Sequence, residues 1–151
     1  MLGTYVETDF DVSLEEKLER MKADGILHRV SEDINSENFP PPKHKRGKVN
    51  TPNKLIFFNW VLNSLEIYKE LAKMNLEPAD IREVLDLVEE RTNIIRYRPL
   101  ITLVDHSGRI FPVCISEANN FRQLGIMPSN TKITPNYLIV GVHKCRVVRI
   151  V

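Results

Sequence analysis

Polar residues recur every three or four positions between Lys54 and Met74, in a segment that is otherwise almost entirely apolar. The polar positions are Asn59, Asn63, Glu66, Glu70 and Lys73. This spacing places them on one narrow stripe of an α-helix and predicts a helix that is apolar over most of its circumference. Thr51 as the N-cap and Pro52 as the first helical residue fit the start of such a helix. A helix with so little polar surface is typically buried on several sides or covered by a partner.

A second helix is predicted from residue 78 to residue 91. Its apolar stripe consists of Ile81, Val84, Leu85 and Val88. Glu77, Asp80 and Glu83 supply negative charge at its beginning, where the helix dipole favours it. Because few residues separate the helices 52–74 and 78–91, we expect them to form an antiparallel helical hairpin.

The N-terminal third predicts one helix and one long connection. Ser13 and Glu16 form a capping box for a helix that runs from residue 14 to about residue 24, and Gly25 is placed to end it. The following residues, 26–53, include three consecutive prolines at 40–42 and a basic run. We expect this proline-rich strap to be extended and to cross the surface of the protein.

After Thr92 the sequence becomes rich in β-formers. The segments NIIRYRPLITLV and RIFPVCIS flank the turn Asp105-His106-Ser107-Gly108, which predicts a hairpin with Gly108 at positive φ. Ser116 is placed to cap a short helix, 117–124. The last segment, YLIVGVHKCRVVRIV, predicts one bent strand or two strands.

Together these elements predict an α+β protein. The helical hairpin should pack on a small, mostly antiparallel sheet from the C-terminal third, with the N-terminal helix and the proline-rich strap around it. A length of 151 residues suits a single domain. Within it we distinguish the N-terminal helix and basic, proline-rich strap, residues 1–53, from a compact core, residues 54–151.

Composition and cysteine usage indicate an intracellular protein, cytoplasmic or nuclear. The chain is 42% hydrophobic and 27% charged, as in ordinary soluble proteins. Cys114 and Cys145 form no CxxC pair, and they are expected to be reduced thiols, with one long-range disulfide as the alternative. The first residues do not resemble a secretion leader. The apolar runs are too short to predict a spanning helix, so we expect no membrane association.

The net charge of +1 conceals blocks of opposite sign. Residues 1–39 and 55–93 carry net charges of −6 and −4, and residues 40–54 and 94–151 carry +5 and +6. The candidate anion-binding residues are Lys43, Lys45, Arg46 and Lys48 in the strap, and Arg96 and Arg98 on a predicted strand beside Tyr97. These groups could bind the phosphates of a nucleic acid, or they could pair with the acidic blocks of the same chain.

Catalytic and metal-binding patterns are absent from the sequence. The chain has no phosphate-binding glycine loop, no HExxH and no nucleophile elbow. Asp105, His106 and Ser107 are consecutive, whereas a hydrolytic triad is assembled from separate elements. His143, Cys145, Cys114 and His106 lack the paired spacing of a zinc site. We therefore expect neither an enzyme nor a metal or other cofactor.

The first functional interpretation is a non-catalytic interaction or assembly subunit with a protein partner or a second copy of the chain. The apolar residues assigned to the partner are Phe57, Phe58, Trp60 and Val61. Exposed apolar surface of this kind marks a partner site. The alternative is a nucleic-acid-binding protein that uses the basic strap and the basic C-terminal face.

Overall fold

The computed structural model describes residues 2–144, with side chains from Tyr5 onward, and shows a mixed α+β fold that is mostly sheet. The helices are α1 (Leu14–Ala23), α2 (Ser64–Lys73) and α3 (Ile81–Glu90), with a 3₁₀ helix at Thr92–Ile95. The strands are β1 (Leu2–Asp9), β2 (Arg29–Val30), β3 (Lys48–Ile56), β4 (Leu76–Pro78), β5 (Leu100–His106), β6 (Arg109–Ala118), β7 (Phe121–Ile126) and β8 (Leu138–His143). The α+β class is thus confirmed.

All eight strands belong to one mixed sheet in the order β1-β3-β8-β5-β6-β7-β2. The short strand β4 pairs with the end of β8. The pairs β5–β8 and β2–β7 are parallel, and the remaining pairs are antiparallel. The sheet is larger than the predicted C-terminal one because β1 and β3, from the first third of the chain, extend it beyond β8.

The sheet buries apolar side chains on both faces, and the helices are divided between them. Leu100 of β5 packs in a cluster with residues of α1 and α3, and we call this side the first face. The next residue, Ile101, packs on the second face with Ile67 and Leu71 of α2. The predicted helical hairpin is therefore wrong. Because β4 joins the sheet between α2 and α3, the chain passes from one face to the other.

The single long helix predicted for residues 52–74 is also wrong. Residues 48–56 form β3, which pairs with β1 and β8, and the helix begins only at Ser64. Asn63 is the N-cap: its side chain accepts a hydrogen bond from the Glu66 N–H, and the Glu66 carboxylate accepts one from the Asn63 N–H. Two of the polar residues that suggested an uninterrupted helix are thus the signal for the start of a shorter one.

Of the two predictions for the segment between Asp105 and Leu124, one is confirmed and one is wrong. The hairpin between β5 and β6 is confirmed, with Ser107 and Gly108 both at positive φ. The helix predicted for residues 117–124 is wrong, because those residues form the β6–β7 hairpin. Asn119 and Asn120 both adopt positive φ at its turn. Asparagine tolerates this conformation better than most residues, so a two-residue turn forms without glycine.

The N-terminal helix matches its predicted bounds and its Ser13 N-cap, but among the described residues the Glu16 side chain makes no reciprocal hydrogen bond to complete the predicted capping box. The Ser13 Oγ atom accepts a hydrogen bond from the Glu16 N–H at 3.1 Å, and Gly25 follows α1 with φ of 72°. The proline-rich strap is held against the body. Phe39 is buried, and its carbonyl accepts a hydrogen bond from the Arg82 guanidinium at 2.7 Å. The Gly47 N–H donates to the Asp11 carboxylate at 3.1 Å.

Asn53 is an unsatisfied polar residue on β3, which is paired on both sides, with β1 and with β8. It is fully buried on β3, and among residues 2–144 neither its amide nitrogen nor its amide oxygen has a hydrogen-bond partner. Burying such a group costs about 1–3 kcal/mol. We therefore expect Asn53→Val to raise the free energy of unfolding by about 1–2 kcal/mol, as measured by urea denaturation.

Asn50→Val is the matched control for this prediction. Asn50 is exposed on the same strand, so its substitution changes strand propensity without removing a buried amide. Its effect should be smaller than that of Asn53→Val. A loss of stability in Asn53→Val would contradict the prediction and would indicate that the amide of Asn53 has a partner, such as a buried water.

Candidate interaction surface

A group of large apolar side chains is exposed between β3 and the middle of α2. Its members are Phe57 (50% exposed), Trp60 (55%), Val61 (50%), Leu65 (50%) and Tyr68 (45%). We call these five residues the apolar surface. They lie within twelve consecutive positions of the chain, so the surface is built from one local segment.

Helix α2 exposes part of this surface because its apolar arc is wider than the area that the sheet covers. Ile67 and Leu71 are fully buried on the second face. Leu65 and Tyr68 are three positions apart and share a neighbouring side of the helix. The charged residues of α2 are Glu66, Lys69, Glu70 and Lys73. The helix therefore has a buried face, a charged face and an exposed apolar flank.

The segment before α2 is fixed to the body. Leu62 exchanges two backbone hydrogen bonds with Ile133, at 3.0 and 2.7 Å. The Ser64 hydroxyl donates to the Ile110 carbonyl at 2.7 Å. These contacts hold the backbone directly after Val61 and at the start of α2. The apolar surface is thus presented by an anchored segment, which lowers the entropic cost of binding.

The four apolar residues assigned to a partner from the sequence have different positions. Phe57, Trp60 and Val61 are about half exposed, whereas Phe58 is partly buried against the second-face core. The Phe58 and Trp60 rings are 6.3 Å apart between centroids. Leu65 and Tyr68 were not among the residues predicted to contact a partner. Leu65 lies four positions after Val61, and Tyr68 lies three positions after Leu65. This spacing is typical of one side of a helix, so it was a signal in the sequence.

Arg96 and Arg98 do not share a strand face as predicted. They follow the 3₁₀ helix and precede β5, and Tyr97 between them is 84% exposed. The Arg96 guanidinium is 4.0 Å from the Glu117 carboxylate. The Arg98 guanidinium lies 5.1 Å from the centroid of the Phe57 ring. Arg98 therefore borders the apolar surface, and Arg96 contacts β6.

Of the four cations between residues 43 and 48 of the strap, one is buried and three are exposed. The Lys45 ammonium is 2.9 Å from the Glu83 carboxylate and lies over the Phe10 ring at 5.6 Å, so Lys45 has a structural contact. The exposed cations are Lys43, Arg46 and Lys48. Lys48 pairs in register with Asp9 across β1 and β3. The acidic N-terminal segment thus lies beside the basic strap.

Two acidic residues of the α3 region, Asp80 and Asp86, are largely buried and paired with cations. Asp80 caps the helix, and its carboxylate is 3.2 Å from the Arg82 guanidinium. Burial raises the pKa of Asp80, and the charge of Arg82 opposes the rise. Burial likewise raises the pKa of Asp86, which accepts a hydrogen bond from Lys17. The Lys17–Asp86 contact joins α1 to α3, whereas the Asp80–Arg82 contact lies within the beginning of α3.

Within residues 2–144, no cluster of three His, Cys, Asp or Glu side chains could hold a metal ion. Cys114 is a free thiol, and Cys145 lies outside the described residues. No described helix is both long and apolar enough to span a membrane. Comparison with known protein families, with curated proteins and with solved structures found no match.

Proposed function

We propose that this protein is a non-catalytic intracellular interaction or assembly subunit, and that a second copy of the chain covers the apolar surface. The observation that carries the proposal is the exposure of Phe57, Trp60, Val61, Leu65 and Tyr68 on one anchored segment. Aromatic and aliphatic side chains of this size are typical anchors at the core of protein interfaces. Exposed apolar patches larger than roughly a few hundred Å² are uncommon on monomers and often mark interaction sites.

The charges beside the apolar surface favour a second copy as the occupant. Helix α2 carries Glu66 and Glu70 against Lys69 and Lys73, so its charged residues sum to zero. A two-fold interface brings the same surface of both subunits together, and a strongly charged border would repel its own copy. A border with both signs allows opposite charges to meet across the two-fold axis.

Trp60 provides a direct test because it is the only tryptophan of the chain. Its emission therefore reports on the apolar surface alone. We expect the emission maximum to move to longer wavelength as the protein is diluted and Trp60 returns to water. Circular dichroism at each concentration controls for unfolding. An emission maximum that stays at the wavelength of an exposed tryptophan at every concentration would contradict self-association through this surface.

Nucleic-acid binding is the second candidate function, favoured by the exposed cations. Lys43, Arg46 and Lys48 are exposed, and none belongs to the ion pairs recorded within residues 2–144. Arg98 and the exposed ring of Tyr97 add a cation and an aromatic side chain of the kind that stacks on bases.

A triple substitution of Lys43, Arg46 and Lys48 to glutamine tests this second candidate. If the strap binds phosphates, the variant should lose roughly tenfold or more in affinity for a labelled single-stranded RNA at low salt, with a shallower salt dependence. Lys45 is left unchanged because it has a structural contact. Equal retention of RNA by the variant and the wild type would exclude Lys43, Arg46 and Lys48 as RNA-binding residues.

A further inference from the structure

The second face of the sheet has an open cleft over β6 and β7, away from the core contacts of α2. Its volume is about 760 Å³. The cross-strand pairs Cys114–Gly125 and Ser116–Gln123 form the floor. Tyr137 and Met127 line the side toward the second-face core. This volume lies within the usual range of sites for small ligands.

The floor of the cleft is open at Gly125 because glycine has no side chain. A Cβ atom added at this position would meet no other atom within 4 Å, so the space above the glycine is open. Gly125 also has no positive φ that would require glycine. A larger side chain at this position would therefore project into the cleft without straining the backbone. This makes Gly125 the position at which the cleft can be filled by substitution.

One wall of the cleft carries charges of both signs. Arg29 at β2 lies four residues before Asp33, and Glu32 is the second acidic residue of the wall. All three are exposed, and none belongs to the ion pairs recorded for the described residues. Four residues of chain span at most about 14 Å, so the cation and the carboxylates lie within reach of one small ligand.

We propose that this cleft binds a short peptide with free termini. The peptide has about two to four residues, and four residues in extended conformation are at most about 14 Å long. The peptide carboxylate pairs with Arg29, and the peptide ammonium pairs with Asp33 or Glu32. The Ser116 hydroxyl and the Gln123 amide are hydrogen-bonding groups for the peptide units. Tyr137, Met127 and Cys114 supply apolar contact for a side chain. This site is separate from the proposed self-association, which uses α2 and residues 57–61.

Calorimetry with the full chain tests the charge arrangement. The probes are the tripeptide Ala-Leu-Ala with free termini, the same peptide acetylated, and the same peptide amidated. We expect either modification to weaken binding roughly fivefold, which is the scale of an exposed charge pair. Arg29→Gln should weaken binding of the free peptide by a similar factor and should leave binding of the amidated peptide unchanged.

Gly125→Leu tests the location. We expect this variant to lose peptide binding, while Phe57→Ser, at a residue that does not line the cleft, binds peptide as the wild type does. If Gly125→Leu fails to fold, the exposed Arg29→Gln substitution still decides the proposal. Absence of binding by all three peptides, equal binding of free and capped peptides, or wild-type binding by a folded Gly125→Leu variant would each overturn it.

The thiol of Cys114 offers an independent readout of occupancy. Burial raises the pKa of Cys114 to about 11, so alkylation by iodoacetamide should be slow at neutral pH and faster as the pH rises. In a Cys145→Ser background, the free tripeptide should slow this alkylation, because Cys114 lies on the floor of the cleft. The capped peptides should protect less at the same concentration. Equal protection by free and capped peptides would contradict the charge-dependent mode of binding.

Discussion

Lys45→Met is expected to destabilise the protein by about 3–5 kcal/mol. Lys45 is 8% exposed, and its ammonium is 2.9 Å from a carboxylate oxygen of the fully buried Glu83. Removing the lysine leaves a buried charge with no cation opposite it, and also removes the contact with the Phe10 ring. Because domains of this size have about 5–15 kcal/mol of stability, the loss should be evident in urea denaturation followed by far-UV circular dichroism.

Two variants separate this explanation from a general effect of the strap. Lys43→Met removes an exposed cation nearby in the sequence and should change the free energy of unfolding by less than about 0.5 kcal/mol. Adding Glu83→Gln to Lys45→Met removes the remaining charge and should recover part of the loss. A loss below about 1 kcal/mol in Lys45→Met would show that the buried pair does not hold the strap.

Local signals in the sequence were sufficient for the elements whose ends depend on a few neighbouring residues. Ser13 with Glu16 fixes the start of α1, and Gly25 fixes its end, because caps satisfy backbone groups locally. Ser107-Gly108 fixes the β5–β6 turn for the same reason. The start of α2 was also encoded locally, by Asn63 and Glu66, but these residues were assigned to a helical stripe.

Elements that depend on distant partners could not be predicted in this way. Residues 48–56 are a strand because β1 and β8 pair with them on both sides. The sequence of this segment alone does not indicate which strands it pairs with. The division of α2 and α3 between two faces depends on the pairing of β4 with β8, which joins residues more than sixty positions apart. Hydrophobic periodicity predicts which face of a helix or strand a residue lies on, but it does not predict which distant element packs against that face.

The site residues also differ in whether their properties follow from the local sequence or from distant partners. The apolar character of Phe57, Trp60 and Val61 is a property of the sequence, and these side chains are exposed although the helix assigned to them does not exist. Lys45 is indistinguishable by sequence from its basic neighbours. Its burial depends on Glu83, which lies 38 positions away.

Leu65→Glu is expected to weaken self-association by about a hundredfold, roughly 3 kcal/mol. Leu65 is half exposed on the apolar flank of α2, so the substitution should leave the fold intact. A two-fold interface would contain the new carboxylate in both subunits, and each would be desolvated against an apolar surface. The dissociation constant can be measured from the dependence of Trp60 emission on concentration.

Phe121→Glu is the matched control for this variant. Phe121 is a large apolar residue with similar exposure, 47%, but it lies at the β6–β7 turn outside the apolar surface. It introduces the same charge outside the apolar surface, at a ring that stacks on His28, so it reports how a new charge and a lost aromatic contact elsewhere affect association. We expect its dissociation constant to stay within about threefold of the wild-type value, since surface changes away from an interface have small effects. An equal effect of both substitutions would exclude a specific role for Leu65.

Sedimentation equilibrium of the wild type, Leu65→Glu and Phe121→Glu tests self-association through the apolar surface most directly. The chain has a mass of 17.5 kDa, so the wild type and Phe121→Glu should approach about 35 kDa as concentration rises. Leu65→Glu should remain near 17.5 kDa over the same range. A wild-type protein that stays at 17.5 kDa at every concentration, or a Leu65→Glu variant that associates as the wild type does, would contradict the account.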